Sequence, residues 1–226
     1  MLTNLPDNLP ELDAGAVRAG LDVVARVTSA DLRLPTPCAE WSLGDLLAHM
    51  TAQHHGFAAA AEGEGADPSA WRLRPLGDDP VSDYLTSANK VLAAFARPGV
   101  LERPFALPEI HPDTVPGRLA VSFHFVDYVV HGWDVAVSLG LPFDPGANEA
   151  EAALRIALQV PGGDSRLEPG AAFGPVVPAQ AEASTMDRVL AALGRSPQWT
   201  PATAGRAGAE GSWSSRPRRR VPHSGR

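Results

Sequence analysis

Phe125-Val-Asp-Tyr-Val-Val-His-Gly-Trp-Asp134 places an acid and an imidazole four residues apart inside a run that is otherwise almost wholly apolar. At 100° per residue, Asp127 and His131 project from one side of a helix and His124 shares their stripe. Phe123, Phe125, Val126, Val129, Val130, Trp133 and Val137 cover most of the remaining surface. A helix apolar nearly all round is a buried one. A carboxylate and an imidazole in such a place carry a desolvation cost unless they pair, hydrogen-bond or hold a metal ion. The stretch therefore predicts a helical core with a site inside it.

Working outward, helix signals recur along the chain and alternating β-branched runs are scarce. A first helix is predicted from about Asp13 to Ser29, with Val17, Leu21, Val24 and Val27 at helical spacing. After the Pro-rich link Leu34-Pro-Thr-Pro-Cys38, Ser42 and Asp45 form a capping box for a second helix that Gly63 and Gly65 stop, with Trp41 stapled onto Leu46. Residues 62–78 read as an exposed loop. Asp79-Pro80 starts a third helix, and the prolines at 104, 108, 112 and 116 impose an extended crossover. The fourth helix runs from Pro116 to about Leu139, and shorter helices are predicted over 149–160 and 184–193. The fold class is all-α, a four-helix bundle with a crossover connection and short additional C-terminal helices.

Helix two must then supply partners for the fourth helix, and it carries His49, His54 and His55. On a helical wheel Leu43, Leu46, Leu47, Met50 and Phe57 define the core stripe, His54 falls within it, His49 flanks it and His55 points away. Wheel geometry alone favours His54. One histidine from this helix, with Asp127 and His131, makes a set of two imidazoles and a carboxylate that leaves coordination positions open, as catalytic rather than structural sites do. Two metal-free readings stand beside it: a structural Asp–His pair, and an acid–base dyad in which Asp127 orients His131. Gly-x-Ser-x-Gly, Walker A and Gly-x-Gly-x-x-Gly patterns are absent.

Pro35-Thr-Pro-Cys-Ala-Glu-Trp-Ser-Leu-Gly-Asp-Leu-Leu-Ala-His49 and Asp127-Tyr-Val-Val-His-Gly-Trp-Asp-Val-Ala136 together resemble the DinB-like metal-binding proteins related to mycothiol-dependent maleylpyruvate isomerase. Phe173-Gly-Pro-Val-Val-Pro178 and Asp187-Arg-Val-Leu-Ala-Ala-Leu-Gly-Arg-Ser-Pro-Gln-Trp199 extend the resemblance to roughly residues 10–200. It implies a DinB-like bundle in which His49, rather than His54, joins Asp127 and His131 as ligands of a divalent ion, usually zinc, with Ni²⁺, Mn²⁺ or Fe²⁺ as alternatives. It also implies an enzyme acting on a small molecule by thiol transfer or thiol-assisted isomerisation with a low-molecular-weight thiol. A non-catalytic metal- or ligand-binding module is the competing class. The isomerase carries Glu where this chain has Asp127, and no separate C-terminal domain like the isomerase's is evident here. Asp134 is a candidate acceptor behind a ligand histidine, and His54 and His124 are candidates to line the cavity. Cys38 reads as a small packed residue in the link.

Composition bounds the rest. Residues 201–226 carry a net charge of +5 and the remainder −12, so the acidic body is expected to bind neither nucleic acid nor anionic membrane. One cysteine excludes an internal disulfide, and a soluble cytoplasmic protein is expected, from a bacterium of high GC content given a single lysine among 19 basic residues. The bundle is assigned to residues 1–200, and 201–226 to a disordered Arg-rich tail. Oligomeric state is not encoded in any readable pattern.

Overall fold

Local signals set where most helices begin. The computed structural model describes residues 4–38, 41–168 and 171–201, so all but the first residue of the expected tail lies outside the described residues. Helix α1 spans Leu9–Val24, α2 Leu43–Glu62, α3 Pro80–Phe95, α4 Gly117–Ser138, α5 Ala147–Ala157 and α6 Thr185–Ala192. The Ser42 hydroxyl accepts from Asp45 N at 3.2 Å while the Asp45 carboxylate accepts from Ser42 N at 3.0 Å, which satisfies two otherwise orphaned donors. Ser184 and Asp187 repeat the arrangement at α6, and Asp79 accepts from Ser82 N at the start of α3. Gly63, at φ +90°, closes α2 in the left-handed conformation.

Helix α1 starts a turn earlier than Asp13 because Pro10 fits a first turn, where no amide hydrogen bond is lost. Asp13 is thereby carried into the helix and is fully buried. The first helix also ends before Ser29, its last residues continuing as turns in which Arg26 N and Val27 N donate to the carbonyls of Val23 and Val24. The crossover contains a short antiparallel pair, β1 (Pro104–Phe105) with β2 (Val115–Pro116), which buries Phe105.

Helix α1 lies along α4 and α2 along α3, and α2–α4 and α1–α3 contacts close the bundle, while α5 and α6 pack on each other and α5 on α4 and α1. The fold is the expected mostly helical bundle, its sheet confined to two residue pairs. Between α5 and α6 the Gly- and Pro-rich stretch is organised by Arg166, whose buried guanidinium donates to the carbonyls of Val160, Pro161, Gly174 and Ala192. No helix among the described residues is long and apolar enough to cross a membrane.

The loop over 62–78 is not wholly exposed. Trp71 is buried against α2, its indole donating to Gly65 O at 2.7 Å and its ring meeting Phe57. Gly56 makes the approach possible, since a Cβ there would stand 2.2 Å from the Trp71 ring. Gly56→Ala is therefore expected to cost about 1–3 kcal/mol of overpacking, read as a lower urea midpoint. Trp71→Leu should relieve the clash, making the double variant less destabilised than the two single changes added together. An unchanged midpoint in Gly56→Ala would contradict this packing.

Candidate metal centre

The polar residues of α4 fall into two layers, one fully buried and one nearer the surface. In the deeper one every bundle helix contributes a side chain: Asp13 from α1, His54 from α2, Ser87 from α3 and His124 from α4, all fully buried. His124 Nδ1 lies 2.6 Å from Asp13 Oδ1. The Ser87 hydroxyl donates to Tyr84 O at 2.8 Å, so at 3.0 Å it accepts from His54 Nδ1. Burial and the neighbouring His124 and His55 hold the His54 imidazole well below its ordinary pKa, hence neutral. Tyr128 stacks on both rings and donates to Met50 O. His54 and His124, the two candidates for cavity lining, are thus bonded within the interior.

Nearer the surface, His49 from α2 and Asp127 and His131 from α4 each bring one ligand-type atom within 4.8 Å of the others. His131 Nε2 stands 3.3 Å from Asp127 Oδ1, and the His49 and His131 rings meet edge-on at 5.4 Å. Trp41 packs on His49 from outside, at 4.8 Å between rings. His131 is nearly buried, whereas the Asp127 side chain is 30% exposed, so the group opens to solvent on one side. The one-turn spacing of Asp127 and His131 is what directs both at the same point.

Behind the triad the other ring nitrogen is held. His131 Nδ1 donates to Asp134 Oδ2 at 3.0 Å, which leaves Nε2 facing Asp127 and His49. Asp134 is fully buried and in turn receives Arg195 Nε at 3.1 and 3.3 Å and Nη2 at 3.2 Å. Cys38, buried in the link as expected, donates its thiol to Asp134 Oδ2 at 3.2 Å and accepts from Arg195 Nη2 at 3.2 Å. Asp134 was readable as a candidate, but Arg195 and the polar contacts of Cys38 were not. The visible sign is Gly194, at φ +80° and packed so closely on Gly174 that a Cβ would lie 2.6 Å away, which brings Arg195 inward.

Electrostatics divides the three groups. Burial, and secondly the charge of His131, push His49 down to about 4, so it presents a neutral lone pair at neutral pH. Burial would raise Asp127, but His131 and then His49 outweigh it and hold the carboxyl at about 2. Burial also disfavours the charged form of His131, yet Asp127 first, then Cys38 and the hydrogen bond to Asp134, raise it well above its ordinary 6.5. Asp134 is likewise held below the usual carboxylate range by Arg195 and His131 against its burial.

Because the folded pKa of His131 is raised, its contribution to stability is complete below pH 6.5 and is lost as pH rises through the folded value. Metal-free wild type is therefore expected to lose stability relative to His131→Gln between neutral and alkaline pH. Urea unfolding after EDTA treatment reads this difference, and a constant gap across that range would show that His131 carries no raised pKa.

Comparison with known proteins agrees with this fold. A Mycobacterium tuberculosis protein described only as uncharacterized, Rv0738 in strain H37Rv and MT0763 in strain CDC 1551, is 29% identical over 178 residues, which span 76% of this chain and 90% of the relative. Two crystal structures of the mycothiol-dependent maleylpyruvate isomerase, one of them a mutant, share the fold at TM-scores of 0.56 and 0.57 with 18% and 15% identity. The likeness covers 83–86% of this chain and 89–91% of those chains. Residues 14–136, more than half of the sequence, match the family described as the mycothiol maleylpyruvate isomerase N-terminal domain. They contain all three residues of the His49–Asp127–His131 group, and the chain belongs to that family.

Proposed function

We propose that His49, Asp127 and His131 hold a divalent ion, zinc by preference, and that the chain is an enzyme acting on a small electrophilic molecule with a low-molecular-weight thiol of the mycothiol type. The observation that carries this is the donor set itself. Two imidazole nitrogens and a carboxylate oxygen, from two helices, lie within 4.8 Å of one another on the partly exposed side of the bundle. Three protein ligands with an open side fit an ion that keeps positions for water or substrate. Imidazole suits zinc better than it suits magnesium or calcium, although the same two-histidine, one-carboxylate set also accommodates iron(II).

A bound zinc ion would supply charge that lowers the pKa of a coordinated thiol or water. The chain's own groups do the rest. His49 is already neutral and ready to donate a lone pair, Asp127 brings the negative charge, and Asp134 fixes the His131 ring with Nε2 forward. His131 must release its proton on ion binding, so uptake should liberate protons and strengthen with pH. The mycothiol-dependent neighbours favour a thiol as the co-substrate, and such chemistry suits a reducing cytoplasm.

Metal analysis of protein purified without a polyhistidine tag, before and after EDTA, tests the centre. A stoichiometric ion and a lower melting temperature after its removal are expected; no ion and an unchanged temperature would defeat the reading. In a cobalt-substituted form, added mycothiol is expected to change the visible spectrum. A spectrum indifferent to thiols would favour a non-catalytic metal-binding module.

A further inference from the structure

His131 faces a second donor set through its other nitrogen. Cys38 Sγ lies 3.8 Å from His131 Nδ1 and 3.2 Å from Asp134 Oδ2, and the three residues offer ligand atoms within 4.8 Å of one another. Thiolate, imidazole and carboxylate make a good ligand set for zinc and a better one for softer ions. Arg195 stands in it. Its Nη2 is 3.2 Å from both Cys38 Sγ and Asp134 Oδ2, and its Nε is 3.1 Å from Asp134 Oδ1.

We propose that Arg195 is a resident cation that occupies the Cys38–His131–Asp134 set, excludes metal from it, and so assigns the ion to the His49–Asp127–His131 side. The proposal rests on the metal reading above and adds the determinant of which nitrogen of His131 takes the ion. An ion entering beside Cys38 would have to displace a buried guanidinium that already neutralises Asp134 and bonds both of its carboxylate oxygens. The charge and hydrogen bonds that a metal would provide there are supplied by the protein.

This guarding has a chemical consequence. An ion held only by nitrogen and oxygen keeps its affinity for sulfur available to an incoming small thiol. Were Cys38 to reach the ion, the protein's own thiolate would take that position. Arg195 reaches Cys38 and Asp134 from the turn after α6, beyond the residues matched by the family, so the C-terminal segment sets the ligand chemistry of a centre built by α2 and α4.

Cobalt(II) titration separates the outcomes. Wild type should bind cobalt without a thiolate-to-cobalt charge-transfer band, and Cys38→Ser should match it in spectrum and affinity. Arg195→Met should gain the band and bind cadmium more tightly; Cys38→Ser/Arg195→Met should lose both gains, and Arg195→Lys, which keeps a cation, should not acquire them. If Arg195→Met fails to fold by circular dichroism, Arg195→Gln, which removes the charge but keeps hydrogen-bonding capacity and all three ligands, should show the same band. A thiolate band in wild type, weaker cobalt binding in Cys38→Ser, or a folded arginine-free variant without the band would overturn the role of Arg195 while leaving the centre intact. Wild type that binds no cobalt would overturn the metal reading itself, and this assignment with it.

Discussion

His131→Ala is expected to lower metal affinity by on the order of 10²–10⁴-fold while leaving the bundle folded. Zinc held by small protein sites at neutral pH is worth about 10–16 kcal/mol. Shared over three ligands, that is about 3–5 kcal/mol for one of them, and each 1.4 kcal/mol is a factor of about ten. His131 is the ligand whose loss should weigh most, because its ring is fixed by Asp134 before any ion arrives. His49→Ala should follow closely. His54→Gln is the informative control: it lies in the deeper layer, bonded to Ser87, and should alter stability without changing affinity. Competition titration against a chromogenic chelator measures all three. Equal losses in His54→Gln and His49→Ala would return the choice of ligand to the one that the helical wheel favoured.

That choice shows where the sequence stopped being sufficient. Caps are local, so Ser42 with Asp45 and Asp79 before Pro80 were readable at their observed positions, and the start of α6 at Ser184 within a residue. The pairing of Asp127 with His131 depends only on one helical turn, and it too was legible. Helix α2 defeats the wheel because it is buried on most sides, from Leu43 round to Ala61, so the apolar stripe does not single out one direction. His49 and His54 then differ by depth in the bundle, a tertiary property, and family resemblance rather than periodicity distinguished them. The early start of α1 has a simpler cause: Pro10 sits in its first turn, ahead of the apolar spacing from Val17 to Val27, and so brings Asp13 inside the helix and to His124. Arg195 lies 61 positions from Asp134, and a contact of that range leaves no periodic trace.

Asp134→Ala is expected to destabilise the protein by about 3–5 kcal/mol, the cost of stranding one partner of a buried ion pair. The Asp134 side chain is fully buried and that of Arg195 is 12% exposed, so little water can replace the lost carboxylate. Removing the carboxylate also leaves His131 Nδ1–H and the Cys38 thiol without their acceptor. A double-mutant cycle separates these causes. Asp134→Leu/Arg195→Met removes both charges and should recover much of the stability lost in Asp134→Leu, because no uncompensated guanidinium remains. It should not recover metal affinity, since the His131 ring would still lack the acceptor that orients it, an effect of about 10- to 100-fold. Urea unfolding of the metal-free proteins gives the stability arm and chelator competition the affinity arm. If both arms recover together, Asp134 serves only to neutralise Arg195. If stability alone returns, the carboxylate has a separate task at the metal centre, which is to hold one nitrogen of His131 so that the other faces Asp127.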